Sequence, residues 1–109
     1  MAYDTELAQQ IRAALSGQKA LSEKEMFGGI GFMIAGNMAC GVTGDDLLVR
    51  VGPEAYEAAL GIENVGVFDM TGRPMRGWVV VVGRAIKTEA DLRSWVEKGI
   101  TFARTLPEK

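Results

Sequence analysis

The chain has 109 residues, 48% of them hydrophobic and 24% charged, and carries a net charge of −2. That size reads as one domain, residues 1–109, and the acidic balance gives no general attraction to nucleic acid or to an anionic membrane. One cysteine, no histidine, no leader-like start and no apolar run near the ~20 residues of a membrane span leave a cytoplasmic protein without an internal disulfide as the expectation.

Residues Asp4 to Ser16 are amphipathic, with Leu7, Ile11, Ala14 and Leu15 at helical spacing. Asp4 is suited to cap this helix, and Gly17 to follow its end in a left-handed conformation. Ser22-x-x-Glu25 has the form of a capping box, but the glycines at 28, 29 and 31 oppose a helix there. Glu23 to Phe27 therefore reads as a strand, with Gly28-Gly29 as a bend or bulge.

From Met26 to Val51 the sequence MFGGIGFMIAGNMACGVTGDDLLVRV reads as a three-stranded antiparallel meander. Gly36-Asn37 and Gly44-Asp45 fit two-residue turns with glycine first. Two-residue loops there would set Met33 opposite Cys40, Val42 opposite Leu47 and Cys40 opposite Val49. One face would then hold Met33, Ala35, Met38, Cys40, Val42, Leu47, Val49 and Val51, which is the expected core. The reverse would hold Ile30, Phe32, Ile34, Ala39, Gly41, Leu48 and Arg50. Because that face is apolar too, Ile30, Phe32, Ile34 and Leu48 are the expected interface residues, covered by another layer or a second subunit.

Gly52-Pro53 followed by EAYEAAL and Gly61 reads as a short helix. Val65 to Met70 follows as a strand, and TGRPMRG, from Thr71 to Gly77, as a loop. Trp78 to Val82 is short, apolar and β-branched, which predicts a strand buried on both faces beside the meander. Thr88 caps the last helix, with Asp91 in its first turn and Leu92, Trp95, Val96, Gly99, Phe102, Ala103 and Leu106 as the packing stripe; Pro107 stops it. Glycine inside a helix costs about 1 kcal/mol against alanine, so Gly99 implies a close approach to the sheet or to another helix. The order of elements gives an α+β fold with a mainly antiparallel sheet and three helices packed on it.

Catalytic chemistry has little to stand on. Histidine, the commonest general base and metal ligand, is missing. Cys40 falls mid-strand on an apolar face, where a desolvated thiol is inert. Asp45-Asp46 sit in a turn that favours aspartate for backbone reasons, and a lone acidic pair is a weak metal site. The Gly28–Gly31 run lacks the Lys-Ser/Thr and the helix of a phosphate loop. No cofactor, metal or catalytic group is expected. The remaining candidate is the basic run Arg73, Arg76, Arg84 and Lys87, which could hold an anion or a phosphate backbone. Against it, the overall charge is negative and no aromatic platform accompanies the cations, so direct nucleic-acid binding is not the favoured reading.

The segments MFGGIGFMIAGNMACGV, DDLLVRVGPE and GRPMRGWVVV, and the closing helix ending FARTLP, stand in this order from Met26 to Pro107. Together they resemble the TfoX/Sxy N-terminal domain family, in the form of a stand-alone domain. The resemblance implies a secretion-chaperone-like α+β fold and a link to the regulation of natural competence in bacteria. Full-length regulators of that type act with the cyclic-AMP receptor protein at promoters. It supplies no catalytic residues. The expected function is a non-catalytic regulatory or protein-interaction module, a homodimer with a transcription-regulatory protein as partner; the alternative is an anionic-ligand or nucleic-acid site at Arg73 and Arg76.

Overall fold

The computed structural model describes residues 3–26, 28–69 and 74–107, with the side chain of Met26 left out. Helix α1 spans Thr5–Ala14; strands β1 to β4 span Leu21–Met26, Gly29–Ile34, Asn37–Thr43 and Asp46–Arg50. Helix α2 is Tyr56–Leu60, strands β5 and β6 are Val65–Asp69 and Pro74–Val81, a 3₁₀ turn covers Gly83–Ala85, and α3 is Glu89–Ala103. The six strands form one antiparallel sheet in the order β1-β2-β3-β4-β6-β5. Arg73 and the start of the expected 71–77 loop lie outside the described residues, while Pro74 to Gly77 belong to β6 rather than to a loop.

The helix ends follow their local chemistry. The Asp4 carboxylate accepts from the Glu6 and Leu7 N–H groups at 3.0 and 3.1 Å, satisfying amides that a first turn leaves unpaired. Thr88 accepts from the Asp91 N–H at 3.1 Å, and Asp91 in return accepts from the Lys87 N–H at 3.3 Å. Gly99 justifies its place in α3. A Cβ there would overlap the Ala39 carbonyl oxygen and lie 2.9 Å from the carbonyl carbon, so the helix rests directly on β3.

All three helices lie on one side of the sheet. α3 crosses β3 and β4, α1 lies beside it against β3, and α2 covers β5 and β6. Two cross-strand rows face them. The first runs Phe32, Cys40, Val49, Val79, each 0% exposed. The second runs Ile30, Val42, Leu47, Val81. These rows pack with Leu7, Ile11, Leu15, Tyr56, Leu92 and Val96 into one core, and burial of these side chains is the main driving force of the fold.

The second hairpin has the expected register, with Val42 opposite Leu47 and Cys40 opposite Val49. The first does not. Its turn is Ala35-Gly36, both at positive φ (52° and 83°), closed by Ile34 and Asn37. Two left-handed central residues are the type I′ pattern. Asn37 is therefore the first residue of β3, 2% exposed, and its Nδ2 donates to the Pro107 carbonyl at 2.8 Å. A bulge follows at Ala39, because Phe32 pairs with Cys40 while Met33 pairs with Met38.

The consequence is an exchange of faces in β2. Ile30, Phe32 and Ile34, expected at an interface, are in the core at 5%, 0% and 1% exposure. Met33 and Met38, expected in the core, pair on the other side and are half-buried. The Trp78–Val82 segment is likewise not buried on both faces. Val79 and Val81 point to the helices, and Trp78 and Val80 are half-buried opposite them.

Candidate interaction surface

Strand alternation assigns the side of the sheet away from the helices to Lys24, Gly31, Gly41, Leu48, Val80 and Gly66, which form one continuous cross-strand row. Of the expected interface residues only Leu48 lies on this side. It is 5% exposed yet does not belong to the core cluster, since its cover comes from its neighbours on the open face. Gly31 and Gly41 make that face flat. A Cβ on Gly41 would meet Met38 Cε at 2.9 Å and Gly31 Cα at 3.3 Å, so the Met38 thioether lies over the two glycines. Methionine is a flexible, polarizable surface of the kind adaptable binding sites use.

Beside this row Arg50 pairs with Trp78 across β4 and β6. The Arg50 guanidinium lies over the Trp78 ring at 5.0 Å and over the Phe102 ring at 5.3 Å. Phe68 adds a third ring, 6.4 Å from Trp78 and tilted by 42°. Phe102 approaches from the helix side, past Gly52 two residues beyond the end of β4, where φ is 89° and a Cβ would overlap the ring. Among the described residues Arg50 has no carboxylate partner. Burial, which disfavours the charged form, pulls its pKa below the usual arginine value. Cation–π contact with two rings compensates part of that desolvation and holds the guanidinium plane in place. Arginine and tryptophan bordering an apolar patch are residue types enriched among those that dominate interface energetics. Sequence reading placed Arg50 on this face but gave it no role; the Phe102 contact comes from a helix 52 positions later and has no local signal.

Among the described residues of the basic run, Arg76, Arg84 and Lys87 do not converge, and all three are exposed. Arg76 lies near the start of β6 and Arg84 beyond its end, on the order of 20 Å apart at the rise of a strand. Arg84 lines a hollow shared with Asp4, Glu6 and Asp45, and Lys87 one shared with Glu89. Neither neighbourhood concentrates positive charge.

Cys40 is fully buried, and desolvation pushes its thiol up to about 12, far from a nucleophile's range. Among the described residues no three of the His, Cys, Asp and Glu side chains gather as a metal site would require, and no helix is long and apolar enough to cross a membrane. A cleft of about 600 Å³ runs between α2 and α3 over Val51, Ala58, Ile62 and Phe102, with Glu54 and Lys98 at its sides. It is apolar and holds no convergent set of polar groups.

The family model of the TfoX N-terminal domain matches residues 13–103. No curated protein and no solved structure matches the chain.

Proposed function

The chain belongs to the TfoX N-terminal domain family, and from that membership we propose that it is a regulatory protein-interaction module, without catalysis of its own, whose working surface is the helix-free face of its sheet. Membership supports a competence-regulator-like module. The single observation that carries the choice of surface is the pairing of Arg50 with Trp78 beside the Met33–Met38–Leu48–Val80 platform. A patch of this composition loses contact with water only when a partner covers it. A transcription-regulatory protein is the partner class, and the cyclic-AMP receptor protein is the first member of that class to test.

The experiment is a calorimetric titration of the purified domain with the cyclic-AMP receptor protein, alone and on promoter DNA. Trp78→Ala and Arg50→Ala should each weaken binding by roughly tenfold or more, while both variants remain folded by circular dichroism. Binding unchanged in both variants would move the working surface elsewhere. No binding by the wild type would remove this partner.

A further inference from the structure

An open sheet has two free edges, and this one protects them very differently. At β1 the exposed residues are Ser22, Glu23, Lys24 and Glu25, and Arg12 is fixed there by Glu23 at 2.5 and 2.7 Å. Charges of this kind discourage strand addition. β5, at the other end of the sheet, reads VGVFD and has no charge before Asp69. Val67 is 45% exposed, although it stands in line with the fully buried Val79.

The backbone of β5 is set for pairing. The Val82 N–H donates to the Asn64 carbonyl at 2.9 Å, which makes 64 and 82 facing hydrogen-bonded partners. By antiparallel alternation Gly66 also bonds inward, to Val80, and the N–H and C=O of Val67 point away from the sheet. Gly66 is the second sign. Gly29, Gly41 and Gly99 each sit against backbone that a Cβ would strike, but a Cβ on Gly66 meets nothing within 4 Å. Open space above Gly66, next to the irregularity between Val67 and Asp69, leaves room there for a side chain from a neighbouring strand.

We propose that β5 pairs antiparallel with β5 of a second copy, about a two-fold axis through Val67. The two strands then exchange both N–H···O=C bonds between the Val67 residues. The same register puts Phe68 of each copy opposite Gly66 of the other, on the helix-free side, where Phe68 already packs against Trp78. An aromatic ring fills the space above the glycine, and the exposed Val67 side chains meet on the helix side. The register is self-complementary, which selects a second copy over an unrelated strand. A two-fold normal to the sheet also keeps both helix layers on one side, so the two open faces join into one twelve-stranded surface.

A five-residue ladder is small for an interface, so the dimer belongs in the micromolar range. Sedimentation and amide hydrogen exchange between roughly 5 and 500 µM test it. The expected result is a monomer–dimer equilibrium in which Val67 N–H exchange slows about tenfold or more with concentration. Val67→Lys and Gly66→Val should both be monomeric. Gly66→Val should melt no lower than the wild type, since its side chain enters empty space and valine favours strands. A wild type that stays monomeric overturns the proposal. So does a dimer that survives both variants or leaves Val67 exchange unchanged; that outcome places self-association elsewhere and leaves the reading of the open face standing.

Discussion

Gly99→Ala sets two well-known effects against each other. Helix propensity favours alanine by about 1 kcal/mol at an interior position. The structure predicts the opposite sign. The new methyl would overlap the Ala39 carbonyl oxygen and lie 2.9 Å from its carbon, and both are backbone atoms of a central strand that cannot rotate away. α3 must retreat by about an ångström, which loosens Leu92, Val96 and Ala103 along the same face. Overpacking of this kind costs typically 1–3 kcal/mol, and the rigidity of the obstacle puts this case at the upper end. After the propensity gain, a net loss of about 1–2 kcal/mol remains, worth on the order of 5–10 °C in melting temperature for a chain of this size. Urea unfolding followed by circular dichroism measures it. An unchanged or raised midpoint would mean that α3 does not rest on Ala39, and the packing described above would be refuted.

Ala35→Gly should stabilise the fold by up to about 1 kcal/mol, since Ala35 sits at φ 52° where alanine is strained and glycine is not; a loss of stability would contradict the Ala35-Gly36 turn. Val49→Asp should prevent folding, because it places an unpaired carboxylate at a site with 0% exposure, whereas Asp45→Asn in the exposed turn should shift the unfolding midpoint by less than about 0.5 kcal/mol. Cys40 should not react with a thiol reagent at pH 8 until the chain unfolds. Its folded pKa lies above the unfolded value, so its contribution is complete below about pH 8.5 and should decline as pH rises from there toward 12. Stability rising over that window would contradict a buried thiol.

The fold class, the helices, the Asp4 and Thr88 caps, the second hairpin and the reason for Gly99 were all legible, because each is written within a few residues of where it acts, whereas α2 begins at Tyr56 after Ala55 rather than at the expected Gly52-Pro53. The first hairpin was not, and the cause is physical. Alanine is a poor candidate for a left-handed turn position, and asparagine a good one, so local chemistry favours Gly36-Asn37. The deciding partner of Asn37 is the carbonyl of Pro107, 70 positions away. Hydrophobic patterning could not correct the slip either. Both faces of β2 are apolar, and exchanging Met33 for Phe32 leaves an equally plausible core. A one-residue shift reverses every side chain in a strand, which is why three of the four expected interface residues became core while Leu48 kept its side. The role of Arg50 lacks a local signal for the same reason as that of Asn37: its stacking partner Phe102 arrives from a distant helix. The bare edge at β5 required the strand order, which places β6 between β4 and β5 and leaves β5 outermost.

The side of the sheet that each β2–β4 side chain occupies decides both the core and the open face, and methyl NMR with a soluble paramagnetic agent reads it directly. The methyl groups of Met33, Met38 and Val80 should relax strongly as the agent is added, while those of Ile30, Val42, Val49 and Val79 should be nearly unaffected. If Ile30 relaxes as strongly as Met33 and Met38, the first hairpin has the other register and the helix-free face is not the surface described.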